Sequence, residues 1–457
     1  MENEKLSRRS FLRDSTIAGA SASAFTIVKP ELVRGAGREV LRAGLIGCGG
    51  RGTQASVNLL SGDPNVELVV VGDLMPDRLE DCLTQLRNPK YLQSNVGRVA
   101  KVTGQPVQDL VSSVAKRVRV DGEHGFTGFD AYKRVLASDV DFVLLCAPPG
   151  YRPLHLEAAV EAGKHLFVEK PFGTDAVGVR RAMAAVRKSE ERKLTLVTGA
   201  QRRFQKEYRE TVAKIKDGAI GDILATYAYW IGSPVLQFQG ASWPGPKGKR
   251  DPKWSDMVFQ NRSWYSFVWI CGDQIVEQHM HNIDVCNWVM GTHPQRVVAS
   301  GGAAWRPRQE EYGNIYDHLV ADFVYPNGVH MHSHCRQYPS GSYGNISELI
   351  VGTKGRSNCT NLGVPGMDPY VQEHIDLVTA IRTNQPFNEA ESVAKSTLTA
   401  IMGRISAYTG PETTWDQMMS SDLRLGPTEY ALGPVPAITA QVPIPGKSKE
   451  AKASPEE

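Results

Sequence analysis

The sequence predicts an α/β protein in which an N-terminal Rossmann domain with a parallel sheet precedes an α+β domain with an open, largely antiparallel sheet. An apolar run at 41–46 ends in a glycine-rich turn, and strand-like and helix-like segments then alternate up to residue 199. After residue 201, alternating strand patterns dominate. We therefore expect a leader at 1–38, a Rossmann domain at 39–200, a domain for substrate binding and oligomerisation at 201–430, and a disordered tail at 431–457.

The glycine-rich turn has the spacing of a dinucleotide-binding loop. Gly47, Gly49 and Gly52 form G-x-G-x-x-G directly after the first strand-like run. The first glycine permits the tight turn, the second lets the backbone approach a pyrophosphate, and the third lets the next helix pack against the sheet. The N-terminal amides of that helix face the phosphates, so we assign Gly50 and Arg51 to the same cofactor site.

Asp73 ends the second strand-like run, about 20 residues after the glycines. A carboxylate there accepts hydrogen bonds from the 2′- and 3′-hydroxyls of a ribose and repels a 2′-phosphate, which favours NAD. Arg78 could reach a phosphate, so NADP stays open as the less favoured cofactor. Asp73 could also simply begin a turn and cap the next helix.

The rest of the first domain is predicted as a βα series. Residues 88–117 are polar and indicate an insertion with a helix at 107–115, and 118–120 is the candidate third strand. Further helices are predicted at 76–86, 129–136, 154–162 and 177–189, and further strands at 66–73, 140–146, 165–168 and 195–199. Such alternation predicts a parallel sheet covered by helices on both faces.

The second domain is predicted to contain strands at 223–230, 295–301, 319–325 and 328–336, with helices at 209–216, 277–290, 370–383 and 393–409. An open antiparallel sheet with helices on one face is the expected form. Apolar residues at 297–301 and 320–325 are expected on the sheet face that no helix covers, and such a face is rarely left exposed to water. We therefore expect like sheets to pair in a homodimer or homotetramer.

The composition is that of an ordinary globular chain. The 457 residues are 41% hydrophobic and 22% charged, which is enough for two domains with their own cores. The net charge of +3 gives no nucleic-acid or membrane-surface signature. Seven cysteines without a C-x-x-C pair are typical of buried thiols and not of a zinc site or a disulfide framework.

The first residues have the form of a twin-arginine export signal. The motif S-R-R-S-F-L-R at 7–13 precedes a mildly apolar stretch at 17–28. We therefore expect the twin-arginine export machinery as a partner and a periplasmic or otherwise exported location. Because no appreciable pool of free NAD exists outside the inner membrane, the cofactor should be tightly held.

Three further segments carry a family resemblance: A-P-P-G-Y-R-P-L-H at 147–155, Glu169-Lys170-Pro171 at a strand end, and E-Q-H-M-H at 277–281. From about residue 41 to 425 the chain resembles the Gfo/Idh/MocA oxidoreductases, which include glucose-fructose oxidoreductase and inositol dehydrogenase. The leader resembles the exported branch of that family. The resemblance implies a nicotinamide-dependent oxidoreductase, with Pro148, His155, Glu169 and Lys170 as further cofactor contacts.

The resemblance also implies roles for the central residues. Lys170 is the expected catalytic lysine, whose charge stabilises a developing alkoxide, and Glu169 is a residue that orients it. His281 is the expected base for the substrate hydroxyl. Glu277 lies four residues earlier, one helical turn away, where its carboxylate can orient the imidazole. The family usually has Asp at this position.

Other polar residues near these motifs are candidates for substrate contacts. Arg202 and Arg203 follow the last strand of the βα series, and Asp284 and His279 flank the expected base, although His279 cannot share its helix face. Aromatic residues at 229–230 and 264–269 could stack on a sugar ring or pack in the core. The alternating histidines at 330–334 share one strand face; a metal cluster is conceivable, but no carboxylate spacing completes one, and we expect no metal.

Two functions stay open. The first is an oxidoreductase that transfers hydride between a secondary alcohol of a sugar, glycoside or cyclitol and a tightly bound nicotinamide cofactor. The alternative is an NAD-dependent, redox-neutral glycosidase that works by oxidation, elimination, hydration and reduction, which closes the redox cycle without an external acceptor. The complete set of motifs argues against a purely structural nucleotide-binding protein.

Overall fold

The computed structural model describes residues 39–234, 250–306, 308, 312–338, 341–433 and 441–447. The predicted leader at 1–38 and most of the predicted tail lie outside the described residues. Within 441–447 of that tail, the carbonyl of Pro443 accepts a hydrogen bond of 2.9 Å from the Tyr316 hydroxyl. Among the helices of the described ranges, none is long and apolar enough to cross a membrane.

The first domain is built on a six-stranded parallel sheet. Its strands are β1 (Leu41–Ile46), β2 (Val66–Asp73), β3 (Gly125–Thr127), β4 (Phe142–Leu145), β5 (His165–Val168) and β6 (Leu196–Thr198). They lie in the order β3-β2-β1-β4-β5-β6, which confirms the Rossmann prediction. The strand order reverses between β1 and β4, and the crevice at their carboxyl ends is where open α/β sheets bind ligands.

Helices cover both faces of this sheet. They are α1 (Gly50–Gly62), α2 (Pro76–Arg87), α3 (Pro89–Thr103), α4 (Val107–Lys116), α5 (Ala131–Ala137), α6 (Arg152–Glu161) and α7 (Ala176–Glu191). The predicted helix at 107–115 is confirmed as α4, but α3 was missed. Helix α3 begins after an N-cap residue, Asn88, whose side chain accepts a hydrogen bond from the Lys90 amide, and Pro89 occupies the first turn.

The predicted third strand at 118–120 is wrong. The strand that pairs with β2 is β3, whereas Val118 forms an isolated bridge with Leu68. Val118 and Val120 are nevertheless buried in the core of the first domain, which explains the apolar pattern that indicated a strand. In a segment of three residues, a buried loop and a paired strand both give the same alternation of apolar and polar residues.

The second domain is built on a seven-stranded mixed sheet. Its strands are β7 (Ile223–Gly232), β8 (Arg296–Gly302), β9 (His318–Val324), β10 (His330–Gln337), β11 (Asn345–Gly352), β12 (Gly355–Ser357) and β13 (Thr413–Thr414). The order is β12-β11-β7-β10-β9-β8-β13, and all neighbours are antiparallel except β7 and β10. The prediction of a largely antiparallel sheet is confirmed, although β11, β12 and the two-residue strand β13 were missed.

Helices cover one face of the second sheet. The helices of this part of the chain are α8 (Lys206–Lys216), α9 (Asp256–Arg262), α10 (Val268–Cys271), α11 (Met280–Met290), α12 (Pro369–Thr383), α13 (Ala390–Thr409) and α14 (Trp415–Ser420). Helix α11 packs on β7 and β11, and α13 packs on β8 and β9. Val297 and Phe323 are buried on this side, whereas Val298 and Val320 lie on the opposite face and are 54% and 46% exposed.

Helix α12 returns to the first domain. Its Val371, Leu377 and Ile381 share a core with Leu41 and Leu68 of the parallel sheet. By its packing, α12 therefore belongs to the core of the first domain, although it lies beyond residue 201 in the chain. This return brings the N-terminal end of α12 to the crevice between the two domains.

Candidate active site

A cavity of about 740 Å³ lies between the two domains at the carboxyl ends of the parallel strands. Its walls combine sequence motifs that are distant in the chain, and they place the glycine turn, the E-K-P segment and the predicted base around one space. The predicted residues that line it are Gly47, Gly49, Gly50, Arg51, Asp73, Pro148, His155, Glu169, Lys170, Glu277 and His281. The two domains therefore build one site together.

The glycine turn fits a phosphate-bearing ligand. Gly47 has φ +101°, and a Cβ there would lie 2.3 Å from the Ala147 amide nitrogen. A Cβ on Gly52 would lie 1.8 Å from the Gly47 carbonyl oxygen, so this glycine permits the close contact between helix and turn. By contrast, a Cβ on Gly49 or Gly50 would meet no atom within 4 Å, which leaves the backbone open to the cavity.

Asp73 stands at the same end of the cavity, with its carboxylate anchored to the backbone. Its Oδ2 accepts a hydrogen bond of 2.6 Å from the Cys48 amide, and its Oδ1 accepts one of 2.8 Å from the Met75 amide. Burial raises the pKa of this carboxyl, against the lowering effect of the two amides. Asp73 therefore begins a turn through the Met75 amide and also lines the cavity, whereas the N-cap of α2 is Met75, which no side chain caps.

The side chain of Arg51 is held by two carboxylates. It donates hydrogen bonds to Glu169 and, at 2.6 Å, to Glu373 of α12, and its guanidinium lies 4.9 Å from the Tyr370 ring centre. Burial raises the pKa of the Glu373 carboxyl. The positive charge of Arg51 is therefore engaged within the protein, and this residue joins the glycine turn to the E-K-P segment and to α12.

Lys170 is anchored by the second domain. Its Nζ donates hydrogen bonds of 2.7 Å to the Glu277 carbonyl and 3.0 Å to Glu277 Oε1, and the two side chains are 14% and 11% exposed. Glu169 accepts a hydrogen bond from the Lys170 backbone amide, at 3.2 Å. The expected orientation of the lysine by Glu169 is thus corrected: Glu277 holds the ammonium, and Glu169 holds the backbone and Arg51.

The expected contact between Glu277 and His281 is corrected as well. A buried ammonium requires an anionic partner, and Lys170 takes that role with the Glu277 carboxylate. A π-helical turn over Ile275–His279 precedes α11 and carries this glutamate. His281 is 8% exposed and stacks against Trp230, with ring centres 6.0 Å apart. Lys170 and His281 both line the cavity, so the lysine and the expected base face one space.

The electrostatic surroundings keep His281 neutral. Burial, together with the positive charges of Lys170, Arg202 and Arg51, holds its pKa well below the usual value. Burial raises the pKa of the Glu277 carboxyl, against the lowering effect of Lys170. The imidazole is therefore neutral at neutral pH.

The four predicted substrate contacts do not line this cavity. Arg203 forms hydrogen bonds of 2.7 and 2.8 Å with Asp284, and both side chains are buried. Arg202 pairs with buried Glu348. His279 is fully buried, and its Nε2 lies 2.8 Å from the Ser333 hydroxyl. These side chains hold α11 in place, because buried charged groups are usually paired with each other.

Several cavity residues had no role assigned from the sequence, and of these only Gln278 lies within a motif named above. They are Tyr132, Gln201, Arg262, Gln278, Tyr370 and Tyr430. Of the aromatic residues considered from the sequence, Trp230, Trp264 and Tyr265 line the cavity, whereas Trp269 is packed in the core. His155 lies between Tyr132 and Tyr151, and burial lowers its pKa to about 3.

The alternating histidines of β10 lie on the outer face of the second sheet, away from the cavity. His330 and His332 are half-exposed, and His330 Nδ1 lies 2.9 Å from Asp322 Oδ1. Within the described ranges, no group of three or more His, Cys, Asp or Glu side chains could hold a metal ion. The histidines therefore belong to a surface and not to the site.

Two family models match the chain. The oxidoreductase family with an NAD-binding Rossmann fold matches residues 41–198, and the GFO/IDH/MocA C-terminal domain matches residues 208–357. The chain belongs to the GFO/IDH/MocA family. It is an oxidoreductase with an NAD-binding Rossmann domain, as the sequence motifs imply.

Curated relatives share about a quarter of their residues with the chain. It is 24% identical over 268 residues to the uncharacterized oxidoreductase YrbE of Bacillus subtilis, spanning 58% of this chain and 69% of that protein. It is 22% identical over 316 residues to scyllo-inositol 2-dehydrogenase (NAD(+)) of the same species, spanning 69% and 72%. The match to inositol 2-dehydrogenase of Rhizobium meliloti, 26% over 165 residues, spans 36% and 41%.

Solved structures share the fold. Scyllo-inositol dehydrogenase from Lactobacillus casei with bound NAD(H) and scyllo-inositol aligns with a TM-score of 0.58 at 18% identity, over 82% of this chain and 99% of that one. The aldose-aldose oxidoreductase from Caulobacter crescentus complexed with glycerol aligns with a TM-score of 0.56 at 15% identity, over 82% and 99%. At these identities the likeness concerns the fold.

The low pKa of His281 can be measured directly. Protonation occurs only as pH falls through the pKa, so the imidazole should stay neutral throughout the range in which an ordinary histidine, with a pKa of about 6.5, titrates. The NMR signal of the His281 ring, assigned by its loss in His281→Gln, should therefore not move between about pH 8 and pH 6. A titration centred near the ordinary value would contradict the proposed burial and charge environment.

Proposed function

We propose that this protein is a dehydrogenase that transfers hydride between a secondary alcohol of a sugar, glycoside or cyclitol and NAD held in the cavity. The observation that carries the proposal is the meeting of Lys170, Glu277 and His281 in the same cavity as the open glycine turn and Asp73. The nicotinamide cofactor supplies the hydride acceptor and donor. The protein's own residues bind the ligands and handle the hydroxyl proton.

The cofactor assignment to NAD is supported by the first domain. The open backbone at Gly49 and Gly50 suits a pyrophosphate, and the N-terminus of α1 offers its amides and dipole. Each oxygen of Asp73 keeps acceptor capacity beyond its one backbone hydrogen bond, which suits ribose hydroxyls. A carboxylate here repels a 2′-phosphate, and so we favour NAD over NADP.

The hydroxyl chemistry is divided among three side chains. Neutral His281 takes the proton from the substrate hydroxyl, and the Lys170 ammonium stabilises the oxygen as negative charge develops on it. Glu277 holds that ammonium at 3.0 Å through Oε1. Its Oε2 is buried and has no hydrogen-bond partner among the described residues, so it can accept a hydrogen bond from a second substrate hydroxyl.

The lining around Lys170 favours a neutral polyol ring. Trp230, Trp264, Tyr265, Gln201 and Gln278 face the cavity there and bring no charge. Aromatic faces pack on the apolar side of a sugar or cyclitol ring, and amides bind its hydroxyls. The names of the relatives, among them two inositol 2-dehydrogenases, agree with this class. The redox-neutral glycosidase gains no support from these relatives.

Loss of Lys170 or His281 should stop the chemistry without emptying the cofactor site. In Lys170→Ala and His281→Ala the turnover rate should fall about 10²-fold or more, the scale for a lost acid–base or alkoxide-stabilising group, while denaturation still releases NAD(H). Lys101→Ala and His124→Ala, which change an exposed lysine and a half-exposed histidine that do not line the cavity, serve as matched controls. Near-normal turnover in either site variant would show that the chemistry lies on other residues.

We also propose that the protein is exported by the twin-arginine machinery and acts in the periplasm, because the motif at 7–13 has the form of such a signal. Export after folding suits an enzyme that acquires NAD in the cytoplasm and retains it. A reporter fused behind residues 1–38 should reach the periplasm, and replacement of Arg8 and Arg9 by Lys should keep it in the cytoplasm. Unchanged export of the lysine variant would exclude this route.

The outer face of the second sheet supports a homodimer or homotetramer. Val298 and Val320 are about half-exposed there, beside Tyr227 and Tyr229 in one shallow groove. A flat sheet face that carries apolar residues is stabilised by pairing with a second copy across a two-fold axis. Light scattering should give at least twice the chain mass of 50.1 kDa, and the double variant Val298→Glu/Val320→Glu should lower it. A monomeric wild-type protein would contradict the proposal.

A further inference from the structure

The end of the cavity beyond Asp73 is closed by a side chain of the second domain. Arg262, the last residue of α9, lines the cavity together with Asp73 and Arg78. Its Nη1 and Nη2 donate hydrogen bonds of 2.8 and 2.9 Å to the two carboxylate oxygens of Asp77 on α2. The ion pair therefore joins the two domains at the end of the cavity that contains Asp73, the residue expected to bind the ribose.

The guanidinium of Arg262 has a second contact within its own domain, with the ring of Trp254. The guanidinium lies 5.0 Å from the ring centre, and the Arg262 side chain is 18% exposed. The hydrogen bond from Arg262 lowers the pKa of Asp77, so both partners are charged at neutral pH. The Nε atom is buried and has no hydrogen-bond partner among the described residues. Asp77 uses two of the five N–H groups of the guanidinium, so the Nε–H remains for a ligand in the cavity.

The charges at this end are balanced. Asp73 and Asp77 are negative, whereas Arg78 and Arg262 are positive, and Asp73 is close enough to Arg262 to contribute to its raised pKa. A guanidinium with free terminal nitrogens is the preferred partner of a phosphate group, which it binds by two parallel hydrogen bonds. Asp77 accepts one hydrogen bond from each terminal nitrogen of Arg262 and neutralises its charge, so the attraction of this arginine for a phosphate group is weakened.

We propose that Arg262 is a cofactor-contacting residue supplied by the second domain, and that Asp77 makes the site selective for an unphosphorylated ribose by engaging it. The inference rests on the proposed function, in which the cavity holds a nicotinamide dinucleotide with its ribose at Asp73. Selectivity for NAD then depends on two carboxylates: Asp73 accepts from the ribose hydroxyls, and Asp77 neutralises the arginine that a 2′-phosphate would bind.

The test compares bound nucleotides in the full-length protein. Wild type, Asp77→Ala and Asp77→Asn are incubated with equal concentrations of isotope-labelled NAD and NADP until the resident nucleotide has exchanged, freed of unbound nucleotide, denatured and analysed by mass spectrometry. The ratio of bound NADP to bound NAD should rise about tenfold in both variants, because removal of the carboxylate frees a phosphate-binding fork. Asp81→Ala, which changes an exposed carboxylate one turn further along α2, should leave the ratio unchanged.

A double variant shows whether the gain comes from Arg262. In Asp77→Ala/Arg262→Ala the ratio should return to within about twofold of the wild-type value, since the free guanidinium is gone. An unchanged ratio in both single variants, or a gain that persists in the double variant, would overturn the inference while the proposed function stands. Wild-type protein that binds neither nucleotide would overturn both. Asp77→Asn keeps the side-chain size, so a folding defect in the alanine variant does not decide the result.

Discussion

The site depends on one buried ion pair between the two domains, that of Lys170 with Glu277. An ammonium that is 14% exposed needs a carboxylate at contact distance, and the partner comes from the turn that begins the helix of the expected base. Removal of one member of such a pair typically costs about 3–5 kcal/mol, because the other charge is left buried and uncompensated. The pair therefore sets the position of the lysine, of the α11 segment and of the cavity between them.

Further ion pairs extend the same principle around the site. Arg51 connects the glycine turn with Glu169 and with Glu373 of α12, and Arg203 with Asp284 secures the other side of α11. These pairs join segments that are more than 80 residues apart in the chain. The glycine turn, the lysine and the histidine are thus held on a scaffold of buried charges, which suits a site that must keep its groups in place while two ligands occupy it.

The parts that could be predicted from the sequence are those that depend on local pattern. Alternating apolar segments predicted the parallel sheet, and the spacing of Gly47, Gly49 and Gly52 predicted the open turn that the structure has. The choice of partner for each charge could not be predicted, because it is decided by packing between distant segments. Glu277 was therefore assigned to His281 instead of Lys170, and Asp284 to a substrate instead of Arg203. The packing of α12 against the first domain could not be predicted either, because no pattern within its own sequence indicates which domain it contacts.

The central claim is that a substrate hydride passes to a cofactor held beside Lys170 and His281. It is tested most directly by incubating the purified protein with polyols that carry deuterium on their ring carbons, perdeuterated myo-inositol among them. The protein is then denatured, and the mass of the released nucleotide is measured by mass spectrometry. For a polyol that is turned over, the nicotinamide of the wild-type protein should carry the deuterium, and that of Lys170→Ala should not. Turnover that leaves the bound nucleotide unlabelled throughout would contradict the account.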